Sequence, residues 1–328
     1  MRVLLLLVVV LTACTTQPNA ATSPTTSSTA SPTATATQSP TSSPTPSPSP
    51  IVLPSIAQLS APSGTVVWAL VAGTHLFRST TRGDSWEERA LPHAPNPQSF
   101  AFVSEREGFL LIAGDPGTLC GSVNAEIWHT SDGAKTWDKL QAAGINDPCK
   151  SDISAASPSQ AFVVGLDQNK SAVVYRTQDG GLTWQVSKAL PNPPVPYTLD
   201  VYPRRVQAFG PTLLMEGTVG PPVDRYVYRS TDGGANWSYI KMAPPSDGFI
   251  TFVTASRWIT TGAPGDSKET TDGGATWHVY TTDYSQAAPV APAVVFGDAS
   301  VGYATVRGAI QRTTDGAAHW TTIKTPGT

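Results

Sequence analysis

Cysteine, histidine and charged residues are all scarce in this chain of 328 residues. It has three cysteines and five histidines, and its 14% of charged residues leave a formal net charge of −3. This slightly negative net charge argues against a nucleic-acid partner, which would require a basic domain. The histidines show no metal-ligand spacing, so we expect no metal and no cofactor. They are His75, His93, His129, His278 and His319.

Helical periodicity and long apolar runs are missing as well. The glycines stand in turn phrases and do not precede helices, which argues against a phosphate-binding loop. Short runs of β-branched and aromatic residues, such as Val173–Arg176 and Tyr226–Arg229, are typical of strands. The sequence therefore predicts an all-β fold.

The N-terminus reads as a processing signal. Arg2 is followed by an apolar run from Val3 to Leu11. This run is too short to span a bilayer, which takes about 20 apolar residues. Leu11-Thr12-Ala13-Cys14 resembles the bacterial lipobox, whose cysteine is lipidated. We therefore expect residues 1–13 to be a lipoprotein signal peptide and Cys14 to anchor the exported chain to the outer face of a bacterial cytoplasmic membrane.

A low-complexity linker follows the cysteine. Residues 15–50 contain 28 Ser, Thr or Pro among 36 and carry no charge. Such a composition cannot bury enough apolar surface to offset the entropy lost on ordering. The sequence predicts a disordered tether over 14–50, reaching about 110 Å if extended at about 3.1 Å per residue.

The rest of the chain repeats one phrase, Ser/Thr-x-Asp-Gly-Gly-x-Thr-Trp. Asp followed by two glycines is a turn signal, because the carboxylate accepts backbone N–H groups and glycine tolerates positive φ. Each copy has a strand-like run on either side and thus predicts a β-hairpin anchored by its Trp. The six copies are 79–86, 130–137, 177–184, 230–237, 270–277 and 313–320.

The spacing of the copies indicates a larger repeat. Successive copies lie 40 to 53 residues apart, a period typical of four-stranded propeller blades. Six copies predict six antiparallel blades within 51–328, with a degenerate seventh blade as the alternative. Blade six must then pack on blade one to close the ring.

The phrase resembles the Asp box, or bacterial neuraminidase repeat, of sialidases, xyloglucanases, sortilins and the photosystem II stability/assembly factor family. The longer repeat, with its Phe-centred strands, is most similar to the assembly-factor type. The resemblance implies that each box joins the third and fourth strands of a blade and is structural. The implied structural residues are Asp132, Asp179, Asp232, Asp272 and Asp315 with Trp86, Trp137, Trp184, Trp237, Trp277 and Trp320.

Some copies depart from the pattern. Thr81 replaces the aspartate of the first copy, so we expect that turn to be less tightly held. Ala134 and Ala317 replace the second glycine of the second and sixth copies, and His319 replaces the threonine of the sixth.

Because consecutive strands of a blade run in opposite directions, the loops of the implied propeller emerge alternately on two faces. The second-to-third connections and the blade-to-blade connections emerge on one face, and the boxes emerge on the other. Cys120 and Cys149 fall on the first face, both beside blade two. In an exported protein we expect them to form a disulfide, with a zinc site as the weaker alternative.

Functional residues are expected on the face with the variable loops. Arg and Tyr are common binding anchors, although solvated loop polarity is the simpler interpretation of each one. The candidate ligand face comprises Tyr197, Tyr202, Arg204, Arg205, Asp224, Arg225 and Tyr284.

The function expected from these features is a non-catalytic, membrane-anchored interaction or assembly module, monomeric and with a protein partner in the cell envelope. Glycan binding and sialidase-type glycoside hydrolysis are the alternatives. The sialidase chemistry needs an arginine cluster, and the sialidases that the phrase resembles also carry an Arg-Ile-Pro-like motif ahead of their first boxes. Residues 51–77 contain no arginine, which argues against it. The identity of the partner does not follow from the sequence.

Overall fold

The structure is a computed structural model and describes most of the chain after residue 56. The described residues are 57–92, 97, 99–113, 125–145, 149–167, 169, 171–195, 200–219, 224–245, 248–261, 265–284, 294–306, 309–324 and 326. The predicted signal peptide, Cys14, the linker, Cys120 and Tyr197 lie outside them.

The first three blades are four-stranded antiparallel sheets of consecutive strands. Blade one comprises β1 (Ala57–Ser60), β2 (Val67–Val71), β3 (His75–Ser79) and β4 (Glu87–Arg89). Blade two comprises β5 (Ser99–Phe102), β6 (Gly108–Ile112), β7 (Glu126–Thr130) and β8 (Asp138–Lys139). Blade three comprises β9 (Lys150–Ala155), β10 (Ala161–Leu166), β11 (Ala172–Thr177) and β12 (Gln185–Val186).

The last three blades repeat this plan. Blade four comprises β13 (Tyr202–Phe209), β14 (Thr212–Val219), β15 (Asp224–Ser230) and β16 (Ser238–Met242). Blade five comprises β17 (Ile250–Phe252), β18 (Trp258–Thr260), β19 (Lys268–Thr270) and β20 (His278–Val279). Blade six comprises β21 (Val294–Phe296), β22 (Gly302–Val306), β23 (Ala309–Thr313) and β24 (Thr321–Thr322). The predicted six-bladed propeller is confirmed, and the described residues contain no seventh sheet.

The core lies between neighbouring blades. The strands alternate buried apolar side chains toward one neighbour and the other, because successive residues of a strand point to opposite faces of the sheet. Phe162 and Val174 of blade three, for example, pack with Met215 and Tyr228 of blade four. First strands lie beside first strands, β1 by β5, β5 by β9 and β9 by β13, so they surround the centre.

The ring closes through packing and side-chain hydrogen bonds between blades six and one, since each sheet is built from one continuous stretch of chain. Tyr303 and Ile310 of blade six share a buried cluster with Val67 and Phe77 of blade one. The Trp86 indole donates to the Lys324 carbonyl at 2.8 Å, as the Trp137 indole donates to Ala90 at 2.9 Å between blades two and one. Blade six thus contacts blade one as blade one contacts blade two.

The aspartate of each Asp box holds its turn as predicted. In the third box, Asp179 accepts a hydrogen bond from the Thr183 amide at 2.9 Å and another from the Thr183 hydroxyl at 2.6 Å. The Thr177 hydroxyl donates to Asp179 and accepts from the Gly181 amide. These hydrogen bonds to the charged form, that of the Thr183 hydroxyl first, lower the pKa of Asp179 to about 2.

The first box keeps this arrangement with a hydroxyl in place of the carboxylate. Thr81 Oγ1 accepts from the Ser85 amide at 3.0 Å, and Ser79 Oγ accepts from the Gly83 amide at 2.7 Å. In the second and sixth boxes, Ala134 and Ala317 adopt the positive φ angles of the glycines they replace, 59° and 83°. Their methyl groups are fully buried, which offsets part of the backbone strain.

The box tryptophans divide into two sets. Trp184, Trp237 and Trp320 are buried, as predicted, whereas Trp86, Trp137 and Trp277 are only half-buried. Two of the half-buried indoles, Trp86 and Trp137, bond to a carbonyl of the preceding blade. Anchoring of the hairpin is therefore accompanied by attachment to the neighbouring blade.

Candidate functional site

The strand order gives the propeller two different faces. We call the face with the second-to-third and blade-to-blade connections the loop face, and the face with the Asp boxes the box face. β13 enters blade four from the loop face at Tyr202, and β14 returns to that face at Val219. The candidate arginines of blade four consequently lie near the loop-face ends of their strands.

A β-bulge presents two of these arginines side by side. Pro203 pairs with Gly217 and Val206 pairs with Met215, so that Arg204 and Arg205 together stand opposite one residue of β14. That residue is Glu216. Bulges redirect side chains and are common beside functional sites.

Arg204 takes part in what we call the Phe249 cluster, defined by Arg204, Glu216, Arg225 and Phe249. The Arg204 guanidinium stacks on the Phe249 ring at 3.7 Å, and that of Arg225 lies 5.7 Å from the same ring. Arg225 Nε lies 3.2 Å from Glu216 Oε1. Glu216 Oε2 accepts a hydrogen bond from the Ile250 amide at 3.1 Å, which joins blade four to blade five.

Few hydrogen bonds offset the loss of hydration of the buried Glu216 carboxylate. It is 4% exposed and Arg225 is 6% exposed. Although Arg225 Nε is close, it is not aligned for a hydrogen bond, and Oε1 accepts none within the described residues. Burial raises the pKa of Glu216 to about 7, and this effect exceeds the opposite effects of Arg204 and Arg225.

Arg205 extends toward the centre of the ring. Its guanidinium donates to the Leu59 carbonyl of blade one at 3.3 Å, the Phe100 carbonyl of blade two at 3.2 Å and Asp152 of blade three at 3.1 Å. Ser99 also donates to Asp152 and accepts from the Ile153 amide. One side chain thus connects the first strands of four blades, a structural role that consumes most of its hydrogen-bonding capacity.

The other candidate residues are dispersed. Tyr202 is 53% exposed at the start of β13. Asp224 accepts from the Tyr226 hydroxyl at 3.4 Å. Tyr284 is 1% exposed and packs edge-on against Trp320 at 5.4 Å, so it belongs to the core between blades five and six. Cys149 is half-buried immediately before β9, and its pairing with Cys120 stays a prediction.

The geometry limits the chemistry of this site. Glycoside hydrolysis by the usual route needs a pair of carboxyl groups on either side of a sugar. Asp152 is ion-paired with Arg205, and Glu216 is buried and bonded to the Ile250 amide, so neither carboxyl group is available to a sugar. By contrast, Arg204 is exposed, aromatic-stacked and near exposed Tyr202. The site therefore suits recognition of an anionic group.

Glu216, Phe249 and Asp152 were not among the residues that the sequence singled out. Glu216 is the only charged residue in the run Leu213–Val219. A lone carboxylate in a buried strand is a usable signal, because an unpaired charge there would be costly. Phe249 and Asp152 offer no comparable signal, since their roles depend on contacts with other blades.

A small cavity of about 130 Å³ lies elsewhere, beside the third Asp box. Its lining consists of Arg176, Gln178, Asp179, Thr183 and Gln185. Asp179 and Thr183 bond to each other in the box, and Arg176 donates to Gln185 at 2.9 Å. The polar groups of this cavity are therefore largely engaged in holding the blade together.

In the part of the chain that the structure describes, no group of three or more His, Cys, Asp or Glu side chains is placed to hold a metal ion. Those same ranges contain no helix of the length and apolarity that a membrane crossing requires.

The C-terminal third of the chain matches a known family model. Residues 218–326 match the model described as photosynthesis system II assembly factor YCF48. The match covers blades five and six and the larger part of blade four. It confirms the resemblance that the repeated phrase predicted.

The chain is also similar to a curated relative and to two solved structures. Xyloglucanase Xgh74A of Acetivibrio thermocellus is 29% identical over 174 residues, 43% of this chain and 19% of that protein. The chain thus spans about a fifth of the length of this relative. YCF48 from Cyanidioschyzon merolae is 18% identical, with a TM-score of 0.49 over 82% of this chain and 86% of that one. A structure of YCF48 bound to D1 peptide is 16% identical, with a TM-score of 0.44 over 83% and 96% of the respective chains.

Proposed function

We propose that the protein is a non-catalytic interaction module that binds an acidic segment of a protein partner on its loop face. The observation that supports this most is the position of Arg204, an exposed residue whose guanidinium is placed by the bulge and by stacking on Phe249. A guanidinium held in place loses little freedom when it binds a carboxylate, and it can do so through two parallel hydrogen bonds. Exposed Tyr202 adds an aromatic anchor beside it.

The family-model match favours an assembly or interaction role over turnover. The xyloglucanase likeness keeps hydrolysis as the second candidate, because it covers 174 residues at 29% identity. Within the described residues, the ion pair of Asp152 with Arg205 and the burial of Glu216 argue against it. Glycan binding without turnover would use the same exposed arginine and tyrosine.

We also propose that Cys14 carries a lipid, that the segment to residue 50 tethers the propeller outside the cytoplasmic membrane, and that Cys120 and Cys149 form a disulfide. Two features of the sequence support the lipid anchor: the N-terminal apolar run and the lipobox-like tetrapeptide at its end. We expect the intact mass of membrane-extracted protein to exceed that of the chain from Cys14 by an acylated glyceryl group. Reduction should add two hydrogens. An unmodified mass, or two free thiols, would contradict these assignments.

Binding is tested with the full-length chain in an uncharged detergent and a rhodamine-labelled peptide of alternating Glu and Ala. We expect Arg204→Ala to weaken binding about tenfold, the loss typical of a binding anchor. Arg229→Ala is the matched control, because Arg229 is exposed on the same blade near the Asp box. A peptide of alternating Gln and Ala tests whether charge is required.

An equal loss of peptide affinity in Arg204→Ala and Arg229→Ala would contradict the proposed site. Equal binding of the two peptides would contradict it as well. The same preparation is incubated with xyloglucan and with fluorogenic sialosides. We expect no product from either. Release of product that is lost in Asp152→Asn would instead establish the hydrolase.

A further inference from the structure

We infer that Glu216 makes anion binding at the Phe249 cluster depend on pH, so that taking up one proton strengthens binding. This inference rests on the proposed function, since it concerns the regulation of the same site. Its physical basis is the position of one buried carboxylate between two arginines at the joint of two blades.

The environment of Glu216 favours a neutral carboxyl group. One oxygen, Oε2, has a single backbone donor, the Ile250 amide. The other, Oε1, is buried and has no hydrogen bond among the described residues, although the Arg225 guanidinium is 3.2 Å away. A buried carboxylate with one hydrogen bond is destabilised because it has lost most of its hydration. The neutral, protonated form is destabilised much less.

Among the residues that the structure describes, the charged groups that face Glu216 are two arginines. Arg204 comes from β13 and Arg225 from β15, whereas β17 contributes the backbone amide of Ile250 and the preceding residue Phe249 contributes its ring. With Glu216 ionised, the cluster carries two positive charges and one negative charge. Protonation removes this negative charge, which raises the positive potential that an anion meets at Arg204.

Coupling of this kind is reciprocal. If a proton on Glu216 strengthens anion binding, a bound anion must raise the affinity of Glu216 for its proton by the same factor. Burial already places the pKa of this carboxyl at about 7, so the change falls close to neutrality. An anionic partner segment would therefore be held more firmly as the surroundings become mildly acidic.

The test measures binding of the alternating Glu-Ala peptide to the full-length chain at about pH 6 and about pH 8, where the peptide itself stays ionised. With a tenfold coupling, which is of ordinary size, we expect wild-type affinity to be about fivefold higher at the lower pH. Glu216→Gln should bind equally at both, at the wild-type low-pH strength. Because Glu216→Gln keeps every histidine, it also controls for their titration.

A second measurement needs no variant. Carbon-13 NMR of the wild-type chain labelled at its glutamate carboxyl groups should show one glutamate titrating near neutrality. Its midpoint should rise when the peptide is added. All glutamates titrating in the ordinary range of about 4 to 5 would overturn the inference.

The outcomes separate this inference from the proposed function. Peptide binding that depends on Arg204 but has the same strength at both pH values overturns the proton coupling and leaves the proposed function standing. A pH dependence that persists in Glu216→Gln assigns the proton to another group and also overturns it. Absence of binding by the wild-type chain at either pH would overturn both.

Discussion

Gly297→Ala should lower the free energy of unfolding by about 3 kcal/mol. This is the upper part of the usual range for adding a methyl group where the packing leaves no space for it. A methyl group at Gly297 would lie 2.0 Å from the Ser63 carbonyl oxygen and 2.3 Å from its carbon. These are backbone atoms of blade one, which cannot rotate away. The substitution thus acts on the contact that closes the ring.

Gly210→Ala is the matched control for this experiment. Gly210 has a φ of +59°, but a methyl group there would meet nothing within 4 Å. Only backbone strain is added, so we expect a loss of about 1 kcal/mol. Urea-induced unfolding of both variants gives the comparison. Equal losses would mean that blade six does not pack against blade one as described.

The second large effect concerns pH. The folded chain raises the pKa of Glu216 from its ordinary value of 4.5 to about 7 through burial. The folded state therefore binds this proton more tightly than the unfolded state does. The resulting stability is fully present below about pH 4.5 and is lost as the pH rises through about 7. Between about pH 5 and pH 8 the wild-type chain should lose about 2 to 3 kcal/mol of unfolding free energy.

Glu216→Gln identifies the source of this slope. The variant cannot titrate at that position, so the difference between pH 5 and pH 8 should shrink to what the histidines contribute. The measurement is denaturant unfolding of both proteins at the two pH values. A wild-type free energy that rises with pH over this range, or an unchanged slope in Glu216→Gln, would show that the buried carboxyl is not the controlling group.

The arrangement in blades could be predicted from the sequence because residues close together in the chain determine each hairpin. Each Asp box holds its aspartate, its turn glycines and its tryptophan within eight residues, and the hydrogen bonds of Asp179 stay within that stretch. Thr81 shows how far the local signal extends, because a hydroxyl still serves as the acceptor for the Ser85 amide. Six such signals at a regular period were sufficient to predict six blades.

The functional site was only partly predictable, because its contacts join distant parts of the chain. Arg204 and Arg205 were singled out, but the bulge that directs them to different surroundings depends on their pairing with β14. Arg205 bonds to Asp152 and Leu59, which precede it by 53 and 146 residues. The sequence predicts Tyr284 on the ligand face, whereas the structure packs it on Trp320 of the next blade. No local pattern encodes these partners.

The most direct test of the account is to locate the bound peptide by hydrogen–deuterium exchange of the full-length chain. With the alternating Glu-Ala peptide, we expect slower exchange at the start of β13, at residues 202–206, and at residues 248–252 before and within β17. The six Asp-box turns on the opposite face should exchange as in the free protein. Protection confined to the Asp-box turns, or unchanged exchange at β13 while the peptide is bound, would contradict binding at the loop face.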